Sequence, residues 1–422
     1  MTPNYCSDFA HGVGRRQFLK FAVGGTAGLA MAPDLSLWAQ DTVARTRAKS
    51  VIILWMGGGP SQLDTFDPKP GHKNGGPVTA LETPVRGFQV SQYLPKLATQ
   101  TKNFSVIRTM NTGEGAHERG HFLMHTGYPP QGGIGIAPIG TVAAHELAKK
   151  DFPLPAFVSY NADVPLSSAF GEQCMPFVIR NTQEPIPNLH SQTGGDDEKR
   201  RAKLLEEQDA SFEREFSGRE IDKRHDSAKK AYELMTTPLV KAFRLEGEKS
   251  ELVQEYGPGF GQYCLMARRL AEAGVPAIEV GLGGWDTHDD NFTKVEKLCA
   301  TLDRGMGTLI KDMAERDLLK DVLVVWMGEF GRTPEINGGN GRDHCPMGWS
   351  CVLAGGGIQG GRLVGDTGKS GQGMSGRTVT QADLFQTIYK ALGIDPTKKY
   401  NMDGRYFNYV AGGGKVVNDL FG

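Results

Sequence analysis

The sequence predicts an α/β fold in which helices cover both faces of a largely parallel sheet, and three observations support this. First, nearly continuous apolar runs at Ser50–Met56, Val275–Leu282 and Val322–Trp326 are typical of strands buried on both faces. Second, a helical pattern over Phe292–Lys320 connects the last two runs, as in a βαβ unit. Third, each run ends in a glycine-containing polar loop, where ligands bind in open α/β sheets.

Further elements follow from local patterns. We predict helices over Ile134–Lys149, Gly261–Ala273 and Thr380–Leu392, and short strands at Phe157–Ser159 and Ser350–Leu353. Residues 48–422 are predicted to form a single domain. The charged segment from about 186 to 260 is predicted to be a helical insertion, with a coiled-coil partner site as the alternative.

The composition indicates a soluble globular protein. The 422 residues carry 47 basic and 48 acidic side chains, for a formal net charge of -1. No global basic field is present, so a nucleic-acid partner has no support. Cys6 lies in the N-terminal segment, and the odd number of remaining cysteines has no short repeated spacing. This excludes a disulfide framework and a zinc knuckle, although Cys345 could contact the site beside it.

The N-terminus resembles an export signal. Gly14–Lys20 is similar to the twin-arginine motif, and the apolar run Phe21–Met31 is too short and glycine-rich to span a bilayer. We therefore interpret residues 1–40 as a signal and linker. The expected partner is the twin-arginine translocation machinery, the expected location is periplasmic or extracellular, and no stable membrane span is expected. An ordinary amphipathic helix is the alternative.

Polar residues gather in the loops that follow the three apolar runs. Those residues are Ser61, Asp64, Asp286, His288, Glu329, Arg332, Arg342, Asp343 and His344. Because parallel strands end at one edge of a sheet, we expect these side chains to share a site. Carboxylate and imidazole groups of this kind suit zinc, manganese, iron or, with fewer histidines, magnesium and calcium.

Three histidines follow each other at a spacing of four residues. On a helix, His117, His121 and His125 would lie on one face, as a metal site or a polar lining requires. In the alternative interpretation, one histidine faces the site and the other two are satisfied by backbone or carboxylate partners.

Four groups of motifs closely resemble an exported, sulfatase-like family, domain of unknown function 1501. The motifs are Gly57–Ser61 with Asp64, Asp67 and Pro68–Pro70; Ala267–Leu270 with Gly274 and Val275; Gly283–His288; and Gly328–Pro334 with Gly341–His344. The resemblance implies an alkaline-phosphatase-like core, from a superfamily of metal-dependent phosphatases, sulfatases and mutases. The reaction of the family is not settled, so the fold transfers better than the function.

The resemblance also implies roles for individual residues. Asp286 and His288 look like metal ligands, and His344 looks like the late histidine ligand, with Asp343 beside it. Glu329 lies where sulfatases have the aspartate of an Asp-His-Gly turn. Phe330 then replaces the histidine of that turn, so one ligand is absent or comes from elsewhere.

The segment Met124–Gly127 resembles the stretch that follows the sulfatase nucleophile. Counting back, His117 occupies the nucleophile position and His121 the neighbouring arginine position. Neither can become the hydrated aldehyde of arylsulfatases, which excludes that route. Ser61, Thr65, Thr112 or a metal-bound hydroxide remain as candidate nucleophiles.

Two functional hypotheses remain open. The first is an exported metal-dependent hydrolase of phosphate or sulfate esters, with a small-molecule or glycan ester as substrate and a divalent ion as cofactor. Zinc, manganese, calcium and magnesium are not distinguished. Its candidate catalytic residues are Ser61, His117, Arg332 and Arg342, and its candidate metal ligands are Asp64, His121, Asp286, His288, Glu329, Asp343 and His344. The second is a catalytically degenerate, exported binding or scaffold protein on the same fold.

Overall fold

A mostly parallel sheet lies at the centre of the computed structural model. The described residues are 47–180, 189, 197, 200, 201, 203, 204, 207, 208 and 229–422. These described residues belong to one compact unit. The predicted signal, residues 1–40, and much of the predicted insertion lie outside the described residues. The described part of that insertion includes a helical stretch over 229–236 and a 3₁₀ helix over Pro238–Phe243.

The strands and helices are numbered in chain order. The strands are β1 (Ser50–Trp55), β2 (Ala80–Leu81), β3 (Val90–Ser91), β4 (Phe104–Asn111), β5 (Phe157–Tyr160), β6 (Phe177–Ile179), β7 (Ala277–Gly281), β8 (Val322–Met327), β9 (Gly331–Arg332), β10 (His344–Cys345), β11 (Met347–Gly355), β12 (Leu363–Val364), β13 (Lys399–Met402) and β14 (Arg405–Asn408). The α-helices are α1 (Pro95–Thr99), α2 (His117–Thr126), α3 (Ile139–Leu147), α4 (Ser250–Tyr256), α5 (Phe260–Glu272), α6 (Asn291–Glu315) and α7 (Gln381–Leu392).

Within the described residues, eight strands form the main sheet in the order β12-β4-β11-β8-β1-β7-β5-β6. The central strand β1 pairs in parallel with β7 and β8. β11 runs antiparallel to both of its neighbours, β8 and β4. The chain passes from β8 to β11 without a crossover helix, which a parallel arrangement would require. The predicted largely parallel α/β fold is confirmed, and the predicted short strand at Ser350–Leu353 is part of this longer antiparallel one.

Apolar side chains fill both faces of the sheet. Ile52 and Leu54 of β1 join a buried cluster that includes residues of α5 and α6. Val51 and Ile53 point to the opposite face, where the cluster includes residues of α3 and α7. The alternation follows from the two-residue period of a strand, and it explains why β1 is apolar from Val51 to Trp55.

The predicted helix boundaries need small corrections. α6 ends at Glu315 because Asp317 adopts a left-handed backbone conformation, after which Leu318–Lys320 form a separate 3₁₀ turn. α3 begins at Ile139, after Pro138 at its N-cap. β4 was not predicted. Across the described residues, no helix is long and apolar enough to cross a membrane.

Candidate metal centre

Three loops meet beyond the carboxyl ends of β1, β7 and β8. The loops after β1 and β7 are in close contact at Gly58, where φ is 114° and an added Cβ would lie 2.4 Å from the backbone nitrogen of Asp286. A side chain at this position would therefore separate the first two loops. The third loop reaches them through Glu329, which accepts a hydrogen bond from the Gly58 backbone nitrogen at 2.8 Å. His117, the first residue of α2, approaches from the side.

Three imidazole nitrogens converge on one oxygen of Asp286. The distances to Asp286 Oδ1 are 3.3 Å from His117 Nε2, 3.1 Å from His288 Nε2 and 3.2 Å from His344 Nε2. His288 Nε2 and His344 Nε2 are themselves 2.9 Å apart. His117 Nε2 is buried and forms no hydrogen bond with the described residues.

The other nitrogen of each ring is held by an oxygen that can only accept a hydrogen bond. The contacts are His117 Nδ1 to Glu329 Oε1 at 2.7 Å, His288 Nδ1 to Asp343 Oδ1 at 2.9 Å, and His344 Nδ1 to the Gly115 carbonyl at 2.7 Å. Each Nδ1 therefore donates its proton, and in the neutral ring the lone pair is on Nε2. All three lone pairs are directed to the same place, which is the tautomer that metal-ligating histidines adopt.

The electrostatics of the cluster follow from these contacts. The hydrogen bond to Glu329 raises the pKa of His117. Burial opposes ionisation of Asp286, but the hydrogen bond and charge of Arg332 outweigh it and hold the pKa of that carboxyl well below its usual range. The hydrogen bond from His288 lowers the pKa of Asp343. Near neutral pH, both aspartates are ionised.

The described residues include a possible metal site at His117, Asp286 and His344, whose ligand atoms all lie within 4.8 Å of one another. His288 lies beside this group, with its Nε2 3.1 Å from Asp286 Oδ1. The Asp286 side chain is 48% exposed, so this cluster is open to solvent. A substrate could therefore reach an ion held there.

The comparisons with known proteins identify the family. The profile of the family described as protein of unknown function (DUF1501) matches residues 48–421. The chain belongs to this family. The resemblance drawn from its motifs is thus confirmed.

Three solved structures are similar to this DUF1501 protein. They are an alkaline phosphatase superfamily protein from Vibrio parahaemolyticus (12% identity, TM-score 0.37, 82% of this chain and 67% of that one), a sulfatase from Pseudoalteromonas sp. (10%, 0.37, 85% and 70%), and a lipoteichoic acid synthase from Listeria monocytogenes (8%, 0.37, 87% and 75%). No curated protein matches the chain. Because these TM-scores and identities are low, the chemistry has to follow from the chain's own residues.

Arg332 is fully buried beside the cluster. Its Nη2 donates to Asp286 Oδ1 at 2.5 Å and also to the Gly58 carbonyl. Its Nε donates to the Gly59 carbonyl at 2.9 Å, and its Nη1 to the Arg342 carbonyl at 3.1 Å. Arg332 thus joins the glycine turn after β1 to the Asp286 side chain.

Arg342 and Asp64 form a separate, fully buried ion pair. Arg342 Nε lies 2.9 Å from Asp64 Oδ2, and Nη2 lies 3.2 Å from Oδ1. The remaining guanidinium protons are donated to the carbonyls of Asn74, Thr333 and Pro334. Arg342 therefore has no proton left for a substrate, and the Asp64 carboxylate is already paired.

His121 and His125 have partners outside the cluster. His121 Nε2 donates to the Asp163 carbonyl at 2.5 Å, and His125 pairs with the buried Glu279 of β7 at 2.9 Å. Burial, followed by the nearby His125, lowers the pKa of His121 to about 4. The arrangement matches the alternative in which one histidine of the three faces the site.

The structure also shows the burial and hydrogen bonds of the candidate nucleophiles. Ser61 is fully buried, and its Oγ has no hydrogen-bond partner among the described residues. Thr65 Oγ1 donates to the Ser61 carbonyl, and Thr112 Oγ1 is buried. Burial raises the pKa of Cys345, whose thiol donates to the Met347 carbonyl at 3.2 Å.

One feature of the site was missed in the sequence, and Phe330, noted there only as the replacement of a histidine, has a packing role as well. The Gly115 carbonyl holds His344, but a backbone group has no signature in the residue string. Phe330 is fully buried and packs against both His117 and His344, with ring centroids 4.9 and 4.6 Å away. It forms an apolar wall behind the two imidazoles.

Proposed function

We propose that this protein is a metal-dependent hydrolase of phosphate or sulfate esters. The convergence of three anchored imidazoles on Asp286 supports a site for one divalent ion, held by His117, Asp286, His288 and His344. With all three rings neutral, three nitrogen lone pairs and an ionised carboxylate face one another, which is electrostatically unfavourable unless a proton or a metal ion lies between them. A cation removes that repulsion.

The donor set favours some ions over others. Three imidazoles with one carboxylate suit zinc and other transition metals such as manganese. Calcium and magnesium prefer oxygen ligands. We therefore propose zinc or manganese.

An ion at this position would act as a Lewis acid toward the ester oxygen and would make water a better nucleophile. The chain's own residues orient the ligands. Glu329 and Asp343 hold the Nδ1 protons of His117 and His288 and thereby keep each Nε2 free. Arg332 fixes the Asp286 carboxylate. We assign Glu329 and Asp343 to this orienting role rather than to direct ligation.

The other candidates receive structural roles in this proposal. Asp64 and Arg342 hold the loop before His344 in place through their ion pair. Burial of Ser61 excludes it as a nucleophile in this conformation, so activated water is the proposed nucleophile. His121 supports the position of α2.

The substrate is proposed to be a small-molecule or glycan ester. An open cluster at the edge of the sheet can admit a substituent on a larger molecule. The motif at Gly14–Lys20 supports export through the twin-arginine pathway, which carries folded proteins and so permits loading with a metal before export.

The test combines metal analysis with turnover. Purified full chain should contain about one zinc or manganese ion per chain and should hydrolyse members of a phosphate- and sulfate-ester panel. Asp286→Ala and His344→Ala should lose both metal and turnover. His145→Gln, an exposed histidine stacked on Phe170, is the matched control. A metal-free, inert wild type would refute the proposal.

A binding or scaffold protein is the second candidate. It is favoured by Phe330, which fills the position where sulfatases have a histidine, and by the absence of an accessible hydroxyl nucleophile at Ser61. In that case, the wild-type protein would bind the ion through the same residues but would hydrolyse no ester of the panel.

A further inference from the structure

A second pocket lies apart from the candidate metal ligands. Its volume is about 590 Å³, and it is lined by residues of the 67–72, 87–89 and 366–369 segments together with Arg108 of β4. None of the four proposed metal ligands lines it. Pockets of a few hundred Å³ are large enough for a small-molecule ligand.

Two cations share one carboxylate in the wall of this pocket. Lys69 Nζ lies 2.8 Å and Arg108 Nε lies 3.3 Å from Asp67 Oδ1. Asp67 is 1% exposed, Lys69 is 9% exposed and Arg108 is 13% exposed. The second oxygen of Asp67 accepts a hydrogen bond from Thr367. Both oxygens of the Asp67 carboxylate therefore already have partners.

Lys69 and Arg108 each keep N–H groups that make no hydrogen bond to the described residues. Lys69 Nζ carries three protons and donates one, to Asp67. Arg108 donates through Nε and Nη2 to the carbonyls of Phe66 and Gln89, whereas its Nη1 has no hydrogen-bond partner among the described residues.

The charges in the wall do not balance. Lys69 and Arg108 are nearly buried, and Asp67 neutralises only one of them. Lys369 and Asp366, which also line the pocket, carry opposite charges and cancel. Buried cations are stabilised by paired anions, and here one positive charge is not neutralised by a side chain that lines the pocket.

We propose that this pocket binds the oxyanion group of a small ligand, such as a carboxylate, a sulfate ester or a phosphate ester. Lys69 Nζ and Arg108 Nη1 donate charge-assisted hydrogen bonds to it. The volume exceeds the need of one oxyanion and leaves room for a sugar-sized body beside Pro68 and Pro70. This pocket does not depend on a metal at His344.

The test is titration calorimetry on the full chain with four ligands that share one ring. Glucuronate, glucose 6-sulfate and glucose 6-phosphate carry different oxyanions, and glucose is the neutral control. Each titration is repeated in His344→Ala, which disables the proposed metal centre. At least one anionic sugar should bind to wild type and equally to His344→Ala, while glucose should not bind.

Variants of the wall locate the site. Lys69→Gln keeps a donor for Asp67 but removes the charge, and it should weaken binding about tenfold or more. Arg108→Lys keeps the charge but loses the Nη1 donor, and it should also weaken binding. Lys49→Gln, an exposed lysine outside the pocket, should bind like wild type. Circular dichroism confirms that each variant is folded.

Three results would overturn the proposal. They are no binding of any anionic sugar, binding that disappears in His344→Ala, and binding that is unchanged in both Lys69→Gln and Arg108→Lys. The second result would place the anion at the metal centre. A failure of the metal proposal alone would leave the pocket titrations unchanged.

Discussion

Two carboxylates of the candidate metal centre differ in burial, and the difference separates their roles. Asp286 is about half exposed and lies where three imidazole nitrogens meet, so it can coordinate an ion that is open to substrate. Glu329 is almost fully buried behind His117 and accepts hydrogen bonds from that ring and from the Gly58 backbone. It can orient a ligand without contacting the ion.

Glu329→Gln tests this orienting role. The amide keeps the shape of the side chain but lacks the charge that favours the Nδ1 proton on His117. We expect about 10–100-fold weaker binding of zinc, as for other residues behind a metal ligand. Competition with a chelator measures the dissociation constant. Glu335→Gln, an exposed carboxylate in the same loop, should have no effect. An unchanged affinity in Glu329→Gln would contradict the assignment.

Asp64→Ala tests the buried ion pair. The change leaves the fully buried Arg342 without its counter-ion, which typically costs about 3–5 kcal/mol of unfolding free energy. Urea denaturation measures this loss. The matched control is Lys49→Ala, which breaks the largely exposed pair with Asp321 and should cost less than about 1 kcal/mol. A similar small loss in Asp64→Ala would show that Arg342 finds other partners.

At the scale of elements, helix α2 connects the site to the core of the sheet. Its first residue, His117, reaches the candidate metal centre, and two turns later His125 pairs with Glu279 of β7. Both His125 and Glu279 are fully buried. Burial opposes protonation of His125, but the charge of Glu279 outweighs it and raises the pKa of His125. This pair fixes the distance of α2 from the sheet and so the position of His117.

His121, on the same helix, predicts a pH dependence of stability. Its pKa falls from 6.5 to about 4 on folding, because partial burial removes the ring from water and His125 lies nearby. Between these values, the unfolded chain binds a proton that the folded chain does not, so this residue makes stability fall as the pH decreases from about 6.5 toward 4. Above that range its effect is constant.

His121→Gln isolates this contribution, because glutamine can still donate to the Asp163 carbonyl but does not titrate. Urea midpoints at pH 7, 6 and 5 should fall less steeply in the variant than in the wild type. The exposed His145→Gln should keep the wild-type slope. Equal slopes for wild type and His121→Gln would mean that His121 is protonated as easily in the folded chain.

For the whole molecule, the candidate centre joins segments that are far apart in the chain. The carboxyl ends of β1, β7 and β8 supply the surrounding loops, and α2 supplies the remaining histidine. An ion held by His117, Asp286, His288 and His344 would therefore link α2 to the loops after β7 and β8, in the folded state only. Binding to the folded state stabilises it by mass action.

Removal of the ion should lower the melting temperature. Dialysis against a chelator should reduce it, and adding back zinc or manganese should restore it in a concentration-dependent manner. His344→Ala should melt at one temperature with and without the ion. A wild-type melting temperature that is insensitive to both treatments would contradict the proposed centre.

Local sequence patterns were sufficient to predict the central strands of the sheet and part of the site. The apolar runs predicted β1, β7 and β8, because a strand buried on both faces favours apolar residues at most positions. Asp286, His288 and His344 were candidates because polar residues in the loops after such strands collect at one edge. The structure brings these three together. The shorter apolar stretch at Phe104–Asn111, which contains Arg108, was not recognised as β4.

Only the tertiary structure selected among residues with the same local signal. His117 and His121 have equivalent positions on the α2 pattern, yet only His117 reaches Asp286, because the start of the helix lies at the edge of the sheet. Asp64 and Asp286 both follow strands, but Arg342, from a loop far along the chain, pairs with Asp64. Hydrogen-bond partners that are distant in sequence decide whether a carboxylate or an imidazole is free to bind a ligand. The spacing of residues along the chain does not identify those partners.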